Sequence, residues 1–252
     1  MTFRNAEESH AHSLQTLNML YEHDDFMSSI DSVVDLGCGT GMDLEWWATR
    51  TTRDENPILL NIDCTGVDLH KTLSLTSRHT NVRYQQTDFE NNIVLGKKNK
   101  FDVLWCHDAF QYAIDPIGTL SHWWNIANDN AMLIIVVPQT TVMEQRSQAF
   151  YQPSGCYYHH TMISLMHMLS VSGWDCASGF FLKRPNDPWI HAAVYKSSYT
   201  PMNPRQTSWY DLIEKKLLPE TAEISIMKHG YLRQQDLTIP WLDKNLIWMG
   251  QQ

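Results

Sequence analysis

Two hydrophobic periodicities alternate along the first four fifths of the chain. Short apolar runs typical of β-strands are separated by segments whose apolar side chains recur every three or four residues, as in amphipathic helices. The first pattern predicts strands at residues 32–36, 64–67, 81–86, 101–106 and 131–137. The last of these runs is continuously apolar, which is typical of a strand covered on both faces.

Helices are predicted around these strands, at residues 6–28, 42–49, from Lys71 onward, at 117–128 and at 161–172 with Gly173 as a C-cap. Residues 175–183 and 190–196 alternate like a strand pair joined by a turn at 184–188. Strands that alternate with helices predict an α/β fold with a doubly wound, mostly parallel seven-stranded sheet whose last strand is antiparallel.

The pattern changes after Ser198. Residues 199–204 contain two prolines and are interpreted as a linker, which is followed by one amphipathic helix at 208–218 and a mixed tail. We therefore divide the chain into an N-terminal helical cap at 1–30, a core domain at 31–198 and a C-terminal appendage at 199–252.

Composition narrows the class of protein. The 252 residues are 43% hydrophobic and 19% charged, which is typical of a folded globular chain. The net charge of −9 argues against binding to a phosphate backbone, so nucleic acid is not expected as a partner. Five widely spaced cysteines without a C-x-x-C pair indicate a reducing compartment. Since neither an apolar leader nor a span of about 20 apolar residues is found, we expect a cytoplasmic protein without membrane association.

A glycine-rich turn is the most informative local feature. The string V-V-D-L-G-C-G-T-G at residues 33–41 closes the first strand with an acid and places Gly37, Gly39 and Gly41 at alternate positions before a helical segment. Glycines let the chain turn sharply and bring bare backbone against a ligand. Their spacing departs from the dinucleotide fingerprint G-x-G-x-x-G, which argues against an NAD-dependent oxidoreductase.

Acidic side chains follow three successive strands. Asp35 and Asp68 close the first two, and Asp88 follows the third with Phe89 beside it. Ligands of doubly wound sheets lie beyond the carboxyl ends of the strands. There, Asp68 can accept hydrogen bonds from ribose hydroxyls, and Asp88 can accept one from an adenine amino group. Together with the glycine turn, the three acids predict an adenosine-type ligand.

The string D-L-G-C-G-T-G resembles motif I of the class I S-adenosylmethionine-dependent methyltransferases, and the resemblance covers about residues 30–197. It implies a Rossmann-like fold, S-adenosylmethionine as cofactor and S-adenosylhomocysteine as product. The cofactor-binding residues implied are Asp35, Gly37, Cys38, Gly39, Gly41, Asp68, Leu69, Asp88, Phe89, Cys106 and His107. In this family the glycine turn accommodates the methionine part, and the residues after the fourth strand approach the methyl donor.

The segment C-H-D-A-F-Q-Y at residues 106–112 resembles the small-molecule branch of the family, the methyltransferase type 11/12-like proteins. This chain has Tyr112 where that branch often has histidine. The expected reaction is in-line transfer of a methyl group to a nitrogen or oxygen of a small-molecule acceptor. The alternatives are a protein or RNA methyltransferase, or a non-catalytic subunit that binds the cofactor.

A general base is needed only when the acceptor must lose a proton. The candidates are His107, Tyr112, and the adjacent pair His159 and His160 before a predicted helix. Adjacent histidines point in different directions and make a poor chelate. The other histidines considered, which are His10, His70 and His167, lack partners at ligand spacing, so no metal is expected.

The two flanking segments are candidate walls of the site. The N-terminal helix could close over the cofactor with Tyr21 near it. The appendage brings four aromatic residues, Trp209, Tyr210, Trp241 and Trp248. An aromatic wall on a negative chain would suit a cationic or amine acceptor. The alternatives are that the appendage packs against the sheet edge or forms a homodimer.

Overall fold

A computed structural model describes residues 6–22, 27, 29–53, 55–70, 79–94, 100–139, 158, 160–184 and 187–250. Its centre is a seven-stranded sheet. The strands, in chain order, are β1 Ser32–Leu36, β2 Asp63–Asp68, β3 Val82–Gln86, β4 Phe101–His107, β5 Ala127–Pro138, β6 Trp174–Leu182 and β7 Trp189–Lys196.

The order of strands across the sheet is β3-β2-β1-β4-β5-β7-β6. β1 to β5 pair in parallel, whereas β7 lies between β5 and β6 and is antiparallel to both. The predicted doubly wound sheet with an antiparallel last strand is confirmed. The strand order reverses between β1 and β4, and ligands of such sheets bind at that position.

Six helices are found in the described part of the chain: α1 Ala6–Tyr21, α2 Met42–Ala48, α3 Pro116–Ile126, α4 Met162–Val171, α5 Trp209–Glu214 and α6 Glu220–His229. Local sequence fixes their starts. Asp115 caps α3 by accepting from the Gly118 N–H, with proline at the first helical position. Thr161 and Ser164 form a capping box that opens α4.

The sheet is buried on both faces by two hydrophobic clusters. Val103 and Trp105 of β4 point to the side covered by α1 and α2, and Leu104 and Cys106 point to the side covered by α3 and α4. Alternate residues of one strand therefore belong to different clusters, which explains why the central strands are apolar throughout.

Some predicted boundaries shift. The helix expected to reach residue 128 ends at Ile126, and β5 begins at Ala127, before the predicted strand start at residue 131. The first residues of β5 pair irregularly with β4, and Asn130 has φ +65° there. The helix predicted to begin near Lys71 starts in residues 71–78, which lie outside the described part of the chain.

The appendage is more structured than predicted. Its first helix ends at Glu214 rather than residue 218, because Lys216 adopts a left-handed conformation with φ +54°. Helix α6 follows, and then a hairpin of β8 Thr238–Pro240 and β9 Ile247–Met249. Among the described residues, no helix has both the length and the apolarity that crossing a bilayer requires.

Candidate functional site

The glycine turn joins β1 to α2 at the point where the strand order reverses. Gly37, Gly39 and Gly41 have φ values of +80°, +51° and +79°, a region that L side chains rarely adopt. The backbone N–H groups of Gly37 and Cys38 both donate to the carbonyl of Val67, at 2.8 and 3.0 Å. The turn is thereby attached to the end of β2.

The loop after β4 packs directly against this turn. A Cβ atom placed on Gly37 would lie 2.3 Å from the Cβ of Ala109. The absence of a side chain at Gly37 therefore permits the contact between the two loops. The same is not true of Gly39, where a Cβ would meet nothing within 4 Å.

Asp68 closes β2 and faces the glycine turn. Its Oδ2 accepts a hydrogen bond from the backbone N–H of Gly39 at 2.9 Å, and its Oδ1 accepts one from the N–H of His70 at 2.8 Å. The neighbouring Leu69 is an apolar side chain that is 60% exposed. An exposed apolar side chain next to an oriented carboxylate suits a ligand that carries both hydroxyl groups and an aromatic base.

Asp35 is a buried carboxyl group without a full set of partners. It is 3% exposed, and within the described structure its Oδ2 has no hydrogen-bond partner. Burial raises the pKa of Asp35 well above its ordinary value, and the charges of Asp43 and Asp68 raise it further. A cationic group at this position would supply the missing interaction.

A small cavity of about 110 Å³ lies between the glycine turn and α1. The residues that line it are Ser9, His10, Asp35, Gly37, Cys38, Gly39, Thr40, Met42, Asp43 and His107. The unpaired Asp35 oxygen and the close approach at Gly37 fit the charged end of an amino-acid ligand. The cavity holds only a few water volumes, which suits this charged end and not a whole nucleoside.

Two predicted cofactor residues have their side chains in the core. Phe89 is 8% exposed and packs against Trp123, which donates to its carbonyl at 2.8 Å. Cys106 is fully buried on the side of α3 and α4. Asp88 accepts a hydrogen bond from the N–H of Glu90 at 2.8 Å, in a turn after β3.

His107 ends β4 beneath α1. Its ring stacks between Trp105 and Trp189, with centroid distances of 6.1 and 6.0 Å. Its Nδ1 lies 3.3 Å from Ser9 Oγ, and its Nε2 lies 2.8 Å from His12 Nδ1. Burial lowers the pKa of His107 to about 3, so the ring is neutral at physiological pH.

Asp108 follows His107 and was not singled out as a base in the sequence. It has φ +53°, an uncommon conformation for a residue other than glycine. Burial raises the pKa of Asp108 to about 7, while a 2.6 Å hydrogen bond donated by Gln111 Nε2 opposes that rise. Its place in the segment that directly follows the fourth strand was its sequence signal.

The other candidate bases are not brought together. Tyr112 ends a short 3₁₀ turn, Phe110–Tyr112, after β4. His160 is fully buried and stacks on Phe110 at 5.2 Å, on the side of α3 and α4, whereas His107 packs on the opposite side. His159 lies outside the described residues.

The cap contacts the site through residues other than Tyr21. The Tyr21 hydroxyl donates to the carbonyl of Thr51 at 3.1 Å, and its ring packs on Trp46 at the end of α2. Tyr21 is about 18 Å along the helix axis from Ser9, which lines the cavity, so the expected placement of Tyr21 near the cofactor does not hold. The first turns of α1, and not its last, lie over the glycine turn.

The appendage aromatics do not form one wall. Trp209 and Trp248 belong to the cluster on the side of α3 and α4, and Trp241 belongs to the cluster on the side of α1. Tyr210 is 56% exposed. A larger cavity of about 820 Å³ separates the appendage from the amino ends of β4 and β5, at the opposite end of these strands from the glycine turn.

Three side chains that can bind a metal ion also lie close together, and the sequence did not indicate this cluster. His12 of α1, Asp187 of the turn before β7, and His191 of β7 place their ligand atoms within 4.8 Å of one another. Burial lowers the pKa of His191, although Asp187 opposes this. Spacing along the chain gave no signal, because His12 is far in sequence from the other two residues.

Residues 34–133 match a family model described as a methyltransferase domain. The N-methyltransferase NodS from Bradyrhizobium japonicum, solved with S-adenosylhomocysteine, has a TM-score of 0.54 and 12% identity, covering 78% of this chain and 90% of NodS. The plantazolicin methyltransferase BpumL, also solved with S-adenosylhomocysteine, has a TM-score of 0.53 and 15% identity, covering 73% of this chain and 84% of BpumL.

A third similar structure is the 1,6-didemethyltoxoflavin-N1-methyltransferase of Burkholderia thailandensis. Its TM-score is 0.50 and its identity is 14%, with 75% of this chain and 85% of that protein covered. No curated protein has a significantly similar sequence. At such identities the solved structures show a shared fold.

Proposed function

We propose that this chain, whose residues 34–133 match a methyltransferase-domain model, is a class I S-adenosylmethionine-dependent methyltransferase that methylates a nitrogen or oxygen of a small-molecule acceptor. The observation that carries the acceptor class is the burial of His107, which is 8% exposed beneath α1. A folded protein or an RNA helix could not reach this strand end while α1 is in place. Two of the similar structures, NodS and the didemethyltoxoflavin enzyme, are N-methyltransferases by name.

The cofactor supplies an activated methyl group on a sulfonium. Asp35 would bind the ammonium of its methionine part, since one carboxyl oxygen of Asp35 lacks a partner in the described structure. Asp68 is held by the Gly39 N–H, so that its carboxylate is oriented for ribose hydroxyls, and exposed Leu69 offers an apolar surface for adenine. The predicted roles of Asp88 and Phe89 stay predictions.

For the acceptor, position matters more than acid–base chemistry. Holding the nucleophile in line with the methyl group removes much of the entropic part of the barrier. His107 is neutral, and both its ring nitrogens lie within 3.3 Å of side chains of α1. His107 therefore serves to position α1 or the acceptor and is a weak proton acceptor.

Asp108 is the better candidate for accepting a proton. It lies beside the loop contact at Gly37, and its pKa of about 7 lets the carboxyl group change protonation state near neutral pH. An acceptor that is already a neutral amine would not require this step, whereas a hydroxyl or a protonated amine would.

The first experiment is a calorimetric titration of the wild-type protein and of Asp68→Ala with S-adenosylmethionine and S-adenosylhomocysteine, with NADH as a control ligand. We expect micromolar binding of both adenosyl compounds, weakening in the variant, and no binding of NADH. Binding of NADH alone would contradict the proposed function.

Acceptors are then tested by transfer of a radiolabelled methyl group. Libraries of small amines and hydroxyl compounds are compared with total RNA and with denatured protein. Labelling of a small molecule supports the proposal. Labelling of RNA or protein alone would replace it with a macromolecular methyltransferase, and cofactor binding without any labelling would favour a non-catalytic subunit.

A further inference from the structure

Three side chains with metal-binding atoms meet on the α1 side of the sheet. His191 Nε2 lies 3.0 Å from Asp187 Oδ2, and His12 Nε2 lies 3.5 Å from Asp187 Oδ1. The side chain of His191 is fully buried, and those of His12 and Asp187 are each 13% exposed. Helix α1 and the start of β7 are thus joined by two imidazoles and one carboxylate.

These separations resemble those between ligands of one ion. Two donor atoms at about 2.0–2.1 Å from a tetrahedral ion lie roughly 3.3 Å from each other. The distance from His12 Nε2 to Asp187 is longer than a good hydrogen bond but close to this value.

The other ring nitrogen of each histidine has its own partner. His191 Nδ1 lies 2.9 Å from Thr16 Oγ1, and His12 Nδ1 lies 2.8 Å from His107 Nε2. The N–H of Trp189 donates to Asp187 Oδ1 at 3.2 Å. Partners of this kind orient metal ligands and fix the imidazole tautomer that leaves Nε2 available.

We propose that His12, Asp187 and His191 form a binding site for a divalent transition-metal ion of the zinc type. Two neutral imidazoles with one carboxylate favour zinc and its neighbours over magnesium or calcium, which prefer sets of oxygen ligands. The rings of Trp189 and Trp241, 5.3 Å from His12 and 6.2 Å from His191, shield the cluster from water. This site departs from the expectation of no metal, which rested on sequence spacing.

The ion would hold α1 against the sheet. Ser9 of the same helix lines the cavity at the glycine turn, about one helical turn from His12. Metal binding would therefore stabilise the position of the helix that covers this cavity. The proposal concerns the ion alone and does not depend on the proposed acceptor.

The test uses full-length protein whose affinity tag has been removed, treated with EDTA and dialysed. Zinc is titrated calorimetrically, and Co²⁺ is added separately as an absorption probe of coordination. The variants are His12→Gln and Asp187→Asn. The control is His229→Gln, which removes the histidine of a half-buried pair, 3.6 Å from Asp236, in the appendage.

We expect one ion per chain for the wild type and for His229→Gln, with intense visible Co²⁺ bands of a four-coordinate site. Asp187→Asn and His12→Gln should lose on the order of 100-fold in zinc affinity. Circular dichroism of the metal-free proteins shows whether the variants are folded, and the nearly isosteric Asp187→Asn provides the safer substitution. Absence of stoichiometric binding in the wild type, or equal affinity in all four proteins, would overturn the site and leave a hydrogen-bonded cluster.

Discussion

Asp68 Oδ2 lies 2.9 Å from the backbone nitrogen of Gly39, although the two residues are 29 positions apart. This hydrogen bond connects the end of β2 to the turn after β1 and orients the carboxylate that would face the cofactor ribose.

Replacing Asp68 should therefore weaken cofactor binding more than it affects folding. Loss of charged hydrogen bonds, at about 1.5–3 kcal/mol each, predicts an increase in the Kd for S-adenosylmethionine of at least 10-fold in Asp68→Ala. Asp68→Asn keeps one acceptor oxygen, so its Kd should lie between those of Asp68→Ala and the wild type. Calorimetry measures both, with the appendage variant Asp243→Ala as control; equal Kd values for all proteins would contradict the assignment.

Gly37 and Gly39 should respond differently to alanine. Gly37→Ala places a Cβ 2.3 Å from Ala109 Cβ, whereas the Cβ of Gly39→Ala meets nothing within 4 Å. We expect Gly37→Ala to lose about 2 kcal/mol of unfolding free energy or more, and Gly39→Ala about 1 kcal/mol from backbone strain alone. Urea denaturation measures both. The double variant Gly37→Ala with Ala109→Gly should regain part of the loss; if it regains none, the steric explanation fails.

Asp35 makes stability depend on pH in the absence of cofactor. Its pKa is raised in the folded protein by burial and by Asp43 and Asp68, so the folded state binds more protons than the unfolded state above the ordinary pKa of 3.8. Stability is therefore lost as pH rises from that value through the folded-state pKa. Asp35→Asn should show a higher Tm than the wild type at pH 8 and a smaller difference at pH 4, yet bind the cofactor more weakly. A lower Tm at pH 8 would contradict this reasoning.

If Asp108 accepts the acceptor's proton, kcat should rise with pH through about 7. Asp108→Asn should lower kcat by about 10² or more and remove the rise, while the KM for S-adenosylmethionine changes little. Gln111→Met removes the hydrogen bond that lowers the Asp108 pKa and should move the midpoint to higher pH. A wild-type profile that is flat between pH 6 and 8 would exclude Asp108 as the base for the acceptor tested.

The appendage should not be separable from the core. The N–H of Cys176 in β6 donates to the carbonyl of Leu217 at 3.1 Å, and Trp241 Nε1 lies 3.0 Å from the sulfur of Met19 in α1. Residues 199–252 thus cover both faces of the sheet. A chain ending at Ser198 should expose this apolar surface and aggregate, as seen by light scattering. If the truncated chain is monomeric and unfolds cooperatively, the appendage is separable from the core.

Local sequence determined the sheet and the glycine-turn end of the candidate site. The five-residue strand Ser32–Leu36 and the glycine turn after it are encoded by residues adjacent in the chain, because strand propensity and positive φ are properties of short segments. The acid Asp68 was found for the same reason, since the end of a strand is visible as the end of an apolar run.

Tertiary packing decided what covers that site. How α1 crosses the sheet decides three things. It determines which side of β4 His107 projects from and which helix turn brings Ser9 and His12 to it. It also brings His12 to Asp187 and His191. Contacts between residues 95 or more positions apart leave no periodic trace in the sequence. The sequence therefore predicted the glycine turn and the acids at the strand ends, and long-range packing determined which side chains cover them.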